Sequence, residues 1–251
     1  MINVAALWRH PIKSHGREAL ASVILETGRT MPWDRSWAVT HAQSKFATDD
    51  PAWVMCRNFM TATRTPSLAG IWATLDSERR QLRLRHADLK DLVFCPDDPD
   101  DVARFLEWVA PLCPVEKSQP TGIVAAPNRG MTDTDYPSVS IMTRASHRAV
   151  ASQLGHEIDP ARWRGNIWVD GTVAWEEFDW IGKDIRIGDA TLRGVAAIER
   201  CMLTAANPTT GTRDVDMLGA LRNGWGHQNF GIYATVTNGG KVQMNDKVEV
   251  L

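Results

Sequence analysis

The apolar run Thr191–Ile198 has the length and composition of a β-strand. It leads into Arg200-Cys201 and a loop that turns at Asn207-Pro208 and Gly211. A thiol at the end of a strand, opening into a loop, is held firmly yet stays within reach of solvent. Similar short runs bounded by turn residues recur along the chain. Val4–Trp8, Ser22–Leu25, Ser36–Thr40, Ser138–Met142, Phe230–Thr237 and Lys247–Val250 read as strands, the last two joined by Asn238-Gly-Gly. Leu68–Leu75 and Gln81–His86 read as a hairpin across Asp76-Ser-Glu-Arg79. Helical signals are few. Asp98 as N-cap, with Pro99 at the first helical position, starts a short helix that places Val102, Phe105, Leu106 and Val109 on one face. Thr143 caps a second helix that stops at Gly155, with His147 packed on it, and Asp214–Leu221 fits a third. The pattern predicts a mainly β fold with a few short helices.

The chain has 251 residues, 43% hydrophobic and 23% charged, enough for one large or two ordinary domains. The density of Pro and Gly in Pro120–Gly130 predicts a boundary, giving a domain over 1–120, a linker over 121–130 and a domain over 131–251. A net charge of -2 and a pI near 6.4 offer no general attraction to nucleic acid or to an anionic membrane. The apolar start is stopped by Arg9-His10-Pro11, too soon for a signal or transmembrane segment, so a cytoplasmic protein is expected. The four cysteines are widely spaced, without Cys-x-x-Cys, a zinc pattern or an iron–sulfur motif. Cys56 reads as a small buried apolar residue, and Glu176, Glu177 and Asp179 as a solvated acidic loop.

Several motifs occur in the order of one known family. Arg200-Cys-Met-Leu-Thr204, Asn207-Pro-Thr-Thr-Gly211, Asn229-Phe-Gly-Ile-Tyr233 and Gly239-Gly-Lys-Val with Asp246 resemble the MOSC domain. This is the molybdenum-cofactor sulfurase C-terminal type, which includes the amidoxime-reducing components. His10-Pro-Ile-Lys-Ser14 is similar to the Tyr-Pro-(Val/Ile)-Lys-Ser segment of the MOSC N-terminal domain, and Trp33-Asp-Arg-Ser-Trp37 to Gly-Asp-Arg-x-Trp. Arg162-Trp-Arg-Gly-Asn166 is similar to Arg-Phe-Arg-Pro-Asn, with Gly165 in place of proline. Between Gln43 and Arg64 the likeness loosens: Lys45-Phe-Ala-Thr-Asp-Asp50 stands where many relatives carry Thr-Ala-Arg, in a segment placed to shape the substrate pocket.

The resemblance implies a β-rich N-terminal domain packed on a MOSC β-barrel, with a molybdopterin cofactor between them. It implies Cys201 as the catalytic thiolate and metal ligand, and Lys13, Ser14, Arg35, Arg164, Asn166, Arg200 and Tyr233 as cofactor-binding residues. Ammonium and guanidinium groups suit the anionic end of a pterin, and a soft thiolate suits a metal already held by sulfur. The implied activity is reduction of N-hydroxylated small molecules, with electrons from a separate ferredoxin, flavoprotein or cytochrome-type partner. Pyridoxal phosphate is a further ligand that the resemblance admits. A sulfur- or cofactor-carrier working through a Cys201 persulfide is the alternative that the residues leave open.

Overall fold

The computed structural model describes residues 1–251. Fifteen strands and three short helices make the fold mainly β. In the first part lie β1 (Asn3–Arg9), β2 (Glu18–Leu20), β3 (Ser22–Leu25), β4 (Ala38–His41), β5 (Trp72–Asp76), β6 (Gln81–His86), β7 (Leu89–Phe94), α1 (Pro99–Val109) and β8 (Pro120–Val124). The second part holds β9 (Val139–Thr143), α2 (Arg144–Leu154), β10 (Ile167–Asp170), β11 (Asp184–Ile187), β12 (Ala190–Glu199), α3 (Met217–Trp225), β13 (Asn229–Asn238), β14 (Gly240–Gln243) and β15 (Val248–Val250). No helix is long and apolar enough to cross a membrane.

One sheet dominates, in the order β15-β11-β12-β13-β9-β10-β1-β2, and it curls into a half-barrel. Its two longest strands, β12 and β13, pair antiparallel through Ala196↔Tyr233 and Ala197↔Ile232, which fixes where Cys201 leaves the sheet. The first strand crosses the expected division of the chain: β1 pairs antiparallel with β10, through Val4↔Val169 and Leu7↔Ile167. Val4 and Leu7 therefore lie in the same core as Val139, Ile141, Ile187, Leu192 and Ile232. A second core belongs to the N-terminal part, where the β5-β6-β7 meander and α1 enclose Leu82, Leu84, Phe94, Phe105 and Val109. Ala206, from the loop after Cys201, packs into this second core and ties the two parts together.

Local chemistry sets the helix ends. Asp98 accepts from the amides of Asp100 and Asp101, both at 3.0 Å, and Thr143 accepts from Ser146 N at 3.2 Å. Gly155 closes α2 in the left-handed conformation.

Four expectations need correction. Residues 121–130, expected as a linker, begin as strand β8, which pairs with β4 and satisfies the edge of Ala38–His41. Asn238-Gly-Gly joins β13 to β14, which pairs with β3, rather than to the last strand. Residues 66–70 form a 3₁₀ turn before β5, because Pro66 leads the chain into a turn. Glu177 is not solvated. It is fully buried, and its Oε2 accepts from the hydroxyls of Thr143 at 2.9 Å and Ser146 at 2.8 Å, anchoring the start of α2. Burial raises its pKa.

Three buried histidines make stability depend on pH. Burial lowers the pKa of His10 to about 3, and those of His15 and His147 to about 4, from 6.5. Below pH 6.5 the unfolded chain protonates these rings and the folded chain does not. Stability is thus full above pH 6.5 and falls towards pH 4, by about 1.4 kcal/mol per pH unit for each histidine. The midpoint temperature of a thermal scan is expected to drop between pH 7 and pH 4.5. A flat profile over that range would contradict the buried, neutral rings.

Candidate active site

The candidate site is built from the ends of strands. After β1, His10-Pro11 stops the strand and the chain crosses to Trp37, where Lys13 N donates to Trp37 O at 2.8 Å. Asp34 holds this corner. One carboxylate oxygen accepts from His10 N at 2.8 Å and lies 3.2 Å from His10 Nδ1, while the other pairs with Arg35. Arg35 and His10 hold the Asp34 carboxyl well below the usual carboxylate range, despite its burial. Across the cleft, Arg200 leaves β12 with its amide bonded to Gln228 O. Cys201 follows in extended conformation, and its carbonyl accepts from Thr204 Oγ1 at 3.0 Å as a 3₁₀ turn starts. Two arginines pin the loop beyond it. Arg17 donates to Pro208 O at 2.8 Å, and Arg162 pairs with Asp214 at 2.8 Å.

These segments enclose a cavity of about 250 Å³ between the two parts of the chain. Lys13, Ser14, Arg35, Arg164, Arg200, Cys201 and Tyr233 all line it. Asn166 stands apart. It is buried in the sheet, where its Oδ1 accepts from Ser140 Oγ at 2.8 Å and its Nδ2 donates to Trp8 O at 3.2 Å, so it braces β9 and β1 behind the cavity. Ser14, Arg35 and Arg164 adopt left-handed backbone conformations, with φ of 63°, 53° and 49°. Such conformations cost about 1–3 kcal/mol for a non-glycine residue and concentrate at functional sites. Here they turn a hydroxyl and two guanidinium groups towards one space.

The electrostatics are uneven. Lys13 pairs with Asp133 at 2.5 Å and Arg35 with Asp34, but neither Arg164 nor Arg200 meets a carboxylate. Arg164 is buried, and its guanidinium donates only to Gly16 O, at 3.2 Å. Arg200 donates to the carbonyls of Phe230 at 2.9 Å and Trp163 at 3.1 Å, and lies 3.1 Å from Met142 Sδ. Burial lowers the pKa of Arg164 to about 9 and that of Arg200 to about 10, and both keep their charge at neutral pH. Desolvated cations without an ion-pair partner are costly, and an anion in this cavity would offset that cost. Burial and the nearby Asp133 raise the Tyr233 pKa, which leaves a neutral phenol at neutral pH. Lys13, Arg35 and Arg200 hold the half-exposed Asp133 carboxyl at about 2 against desolvation.

Cys201 is solvent-exposed, with its Sγ 3.2 Å from Thr63 Oγ1. No three His, Cys, Asp or Glu side chains cluster as a metal site, so a metal held at Cys201 needs donors from its own cofactor. A soft sulfur beside two carboxylate-free guanidinium groups fits a sulfur-ligated metal on an anionic pterin. Pyridoxal phosphate fits poorly. Lys13, the one lysine lining the cavity, has its ammonium tied to Met131 O at 2.8 Å and to Asp133.

Several lining residues carry no signal in the sequence. Asp133 arrives on the loop before β9, and Thr61 and Thr63 from the segment after Phe59. Trp163 stacks on Phe230 with ring centroids 3.7 Å apart, and its Nε1 donates to His147 Nδ1 at 3.0 Å. The neutral His147 ring thus positions the cavity wall. Cys56, expected to be buried, is exposed and lines the same cavity as Cys201, because it lies in a strand-free segment that folds over the cleft.

Gly165, which replaces the proline of the motif it resembles, sits where a side chain meets Met142. A Cβ there would lie 2.3 Å from Met142 Cγ, and one at Gly231 would lie 2.3 Å from Met142 Sδ. Met142 fills the space between two glycines and turns its sulfur to Arg200. Gly165→Ala is expected to destabilise the protein by about 1–3 kcal/mol through overpacking. Introduced into a Met142→Ala background, the same change should cost less in chemical denaturation than it does in the wild type. An equal cost of Gly165→Ala in both backgrounds would refute the steric account.

The MOSC N-terminal beta barrel domain matches residues 1–108, and the MOSC domain matches residues 130–249. The mitochondrial amidoxime-reducing component 1 of Homo sapiens is 24% identical over an alignment of 300 residues, which covers 99% of this chain and 82% of that protein. Component 1 of Xenopus laevis is 35% identical over 79 residues, 30% of this chain and 22% of its own. The human component 2 is 31% identical over 126 residues, 45% of this chain and 37% of its own. A solved structure, the YUAD protein from Bacillus subtilis, aligns over 100% of this chain and 96% of its own at 14% identity, with a TM-score of 0.47. The two domain matches, in this order over nearly the whole chain, make it a MOSC-domain protein with a MOSC N-terminal beta barrel domain.

Proposed function

We propose that this chain holds a molybdenum cofactor at Cys201 and reduces N-hydroxylated compounds of amidoxime or hydroxylamine type. A separate electron-transfer protein would supply the electrons. The observation that carries this reading is the pairing of an exposed thiol with Arg164 and Arg200, two charged side chains that meet no carboxylate, in one cavity. The amidoxime-reducing names of the relatives support the substrate class.

The reaction is R–NHOH + 2 e⁻ + 2 H⁺ → R–NH₂ + H₂O, and the cofactor supplies its two-electron chemistry when bound. The chain does the rest. Cys201 Sγ is the protein's ligand to the metal. Arg164 and Arg200, with Lys13, Ser14 and Arg35 beside them, hold the anionic end of the pterin. Tyr233 keeps its phenolic proton and can donate a hydrogen bond at the substrate oxygen. Thr63 Oγ1 fixes the thiol rotamer from the opposite wall. Elemental analysis of protein from molybdate-fed cells, beside pterin fluorescence after denaturation, tests the reading. Near-stoichiometric molybdenum is expected, and absence of both metal and pterin refutes it.

A second reading rests on Cys56. Two exposed thiols in one cavity also suit a carrier that accepts sulfane sulfur on Cys201. A cyanolysable sulfur adduct on metal-free protein would favour it.

A further inference from the structure

A small cavity of about 10 Å³ lies beside the Cys201 cavity and shares Arg164 and Leu203 with it. That is room for a single water-sized or halide-sized species. Arg17, Arg162 and Arg164 line it, only 1%, 5% and 8% exposed, and no aspartate or glutamate does. So small a space brings the residues around it within reach of one centre. The hydrogen bonds place the guanidinium heads there too. Arg17 donates to the carbonyls of Ala69 at 2.6 Å and Pro208 at 2.8 Å, both of them cavity walls. Arg162 donates to Ala205 O at 3.2 Å, next to the wall residue Ala206, and Arg164 donates to Gly16 O, next to Arg17.

Donors outnumber acceptors around this space. Nε of Arg17 and Nε of Arg162 are buried and have no hydrogen-bond partner in the chain. Buried donors of this kind are rare, and a bound water or ion is a usual reason for them. The charge favours an ion. Arg162 pairs with Asp214, but Arg17 and Arg164 bond only to carbonyls. Asp159, whose charge reaches Arg17, spends one carboxylate oxygen on the amide of Ala161 at 2.8 Å. Burial lowers the pKa of Arg17 to about 10, while burial, Arg35 and Arg17 together lower that of Arg164. Both stay charged at neutral pH. A water molecule would satisfy a free N–H yet leave the repulsion between two desolvated cations in place.

We propose that Arg17, Arg162 and Arg164 bind one monatomic anion of the size of chloride. Phosphate, sulfate and carboxylates carry too many heavy atoms for the space. The walls come from both parts of the chain, Ala69 from the first, and Leu203, Ala206 and Pro208 from the loop that follows Cys201. A bound halide therefore ties that loop to the N-terminal part. It also offsets part of the Arg164 charge, so substitutions of Arg164 read most clearly in halide-free buffer. The inference is independent of any cofactor at Cys201.

The test is a series of thermal scans of the full chain in which sodium chloride replaces sodium gluconate at constant ionic strength. For a Kd of about 10 mM, 100 mM chloride is expected to raise the midpoint by about 3–6 °C and to saturate, and bromide should act alike. Arg17→Gln, at a residue that lines only the small cavity, should lose the halide dependence whatever its own midpoint. Lys13→Gln, at a residue that lines only the larger cavity, should keep it. Anomalous diffraction from wild-type crystals soaked in bromide serves if Arg17→Gln does not fold. One peak in contact with guanidinium nitrogens of all three arginines is expected. No saturable rise and no peak would leave a water in the cavity and overturn the proposal. A peak without a saturable rise is an adventitious ion only, and overturns it too. So does a halide dependence that survives Arg17→Gln but not Lys13→Gln, or a peak confined to Lys13, Arg35 and Arg200, since either gives the anion to the larger cavity.

Discussion

Cys201→Ser is expected to purify as a folded protein without molybdenum, and to lose reduction of N-hydroxylated substrates by more than about a hundredfold. The factor follows from what lies further from a metal: removing a group that merely orients a ligand already costs about 10–100-fold in affinity or activity. Cys201 would be the ligand itself. Serine keeps the volume and the hydrogen bond to Thr63 Oγ1 but replaces a soft sulfur by a hard oxygen, which a sulfur-ligated metal disfavours. The fold should not notice. Cys201 is exposed and outside every core cluster, so the thermal midpoint should shift by less than about 2 °C. Metal content, pterin content and turnover must be read together. A variant that keeps molybdenum and turns over would remove Cys201 from the metal and leave the cavity's charge unexplained. Loss of metal with a lowered midpoint would point to folding instead, and Cys201→Ala would then separate the two, because it removes the sulfur without adding a polar atom.

Much of this cavity could be read before the chain was folded, and the part that could not has a physical reason. Lys13, Arg35, Arg164 and Arg200 lie close to strand ends, where side chains can reach an opening, while Tyr233 sits within β13; it is the resemblance of the motifs in their order, rather than local pattern, that groups them. Asp133, Thr61, Thr63 and Cys56 lie on segments without periodicity, and only closure of the two parts of the chain brings them to the thiol. Glu177 shows the limit differently. An acidic run around Trp175–Trp180 looks solvated, yet the hydroxyls of Thr143 and Ser146, some thirty residues earlier, give one carboxylate a buried partner set. The same holds for β1, whose pattern marks a strand but cannot say that Val169 and Ile167 wait for it across the molecule. Short elements were legible; long-range partners were not.

That dependence on distant partners makes Arg164 the residue where stability and function should part. Its guanidinium is buried, donates only to Gly16 O and feels Arg35 and Arg17 as well as Asp34 and Asp133, none of them in an ion pair with it, so in the cofactor-free protein its charge is only partly compensated. Replacing such a charge by an apolar side chain of similar length is often stabilising by about 1–4 kcal/mol. Arg164→Met loses the Gly16 bond, worth about 1 kcal/mol. It does not relieve the left-handed backbone, since methionine bears the same Cβ. The carbonyl that accepts from Arg35 is main chain and survives the change. The net expectation is a cofactor-free variant more stable than wild type, by roughly 2–6 °C in its thermal midpoint for a chain of this size. The loaded protein should behave in the opposite way. An anion whose buried cationic partner is removed loses about 2–5 kcal/mol, so cofactor retention should fall by at least about thirtyfold. Lys at this position should restore charge but not the planar fork, and should recover retention only in part. The opposite pair of results, a less stable apoprotein that still binds cofactor fully, would show that Arg164 is a strut between the two parts of the chain. The increased apoprotein stability with lost retention would show a guanidinium kept at a cost to the fold because a bound anion offsets it.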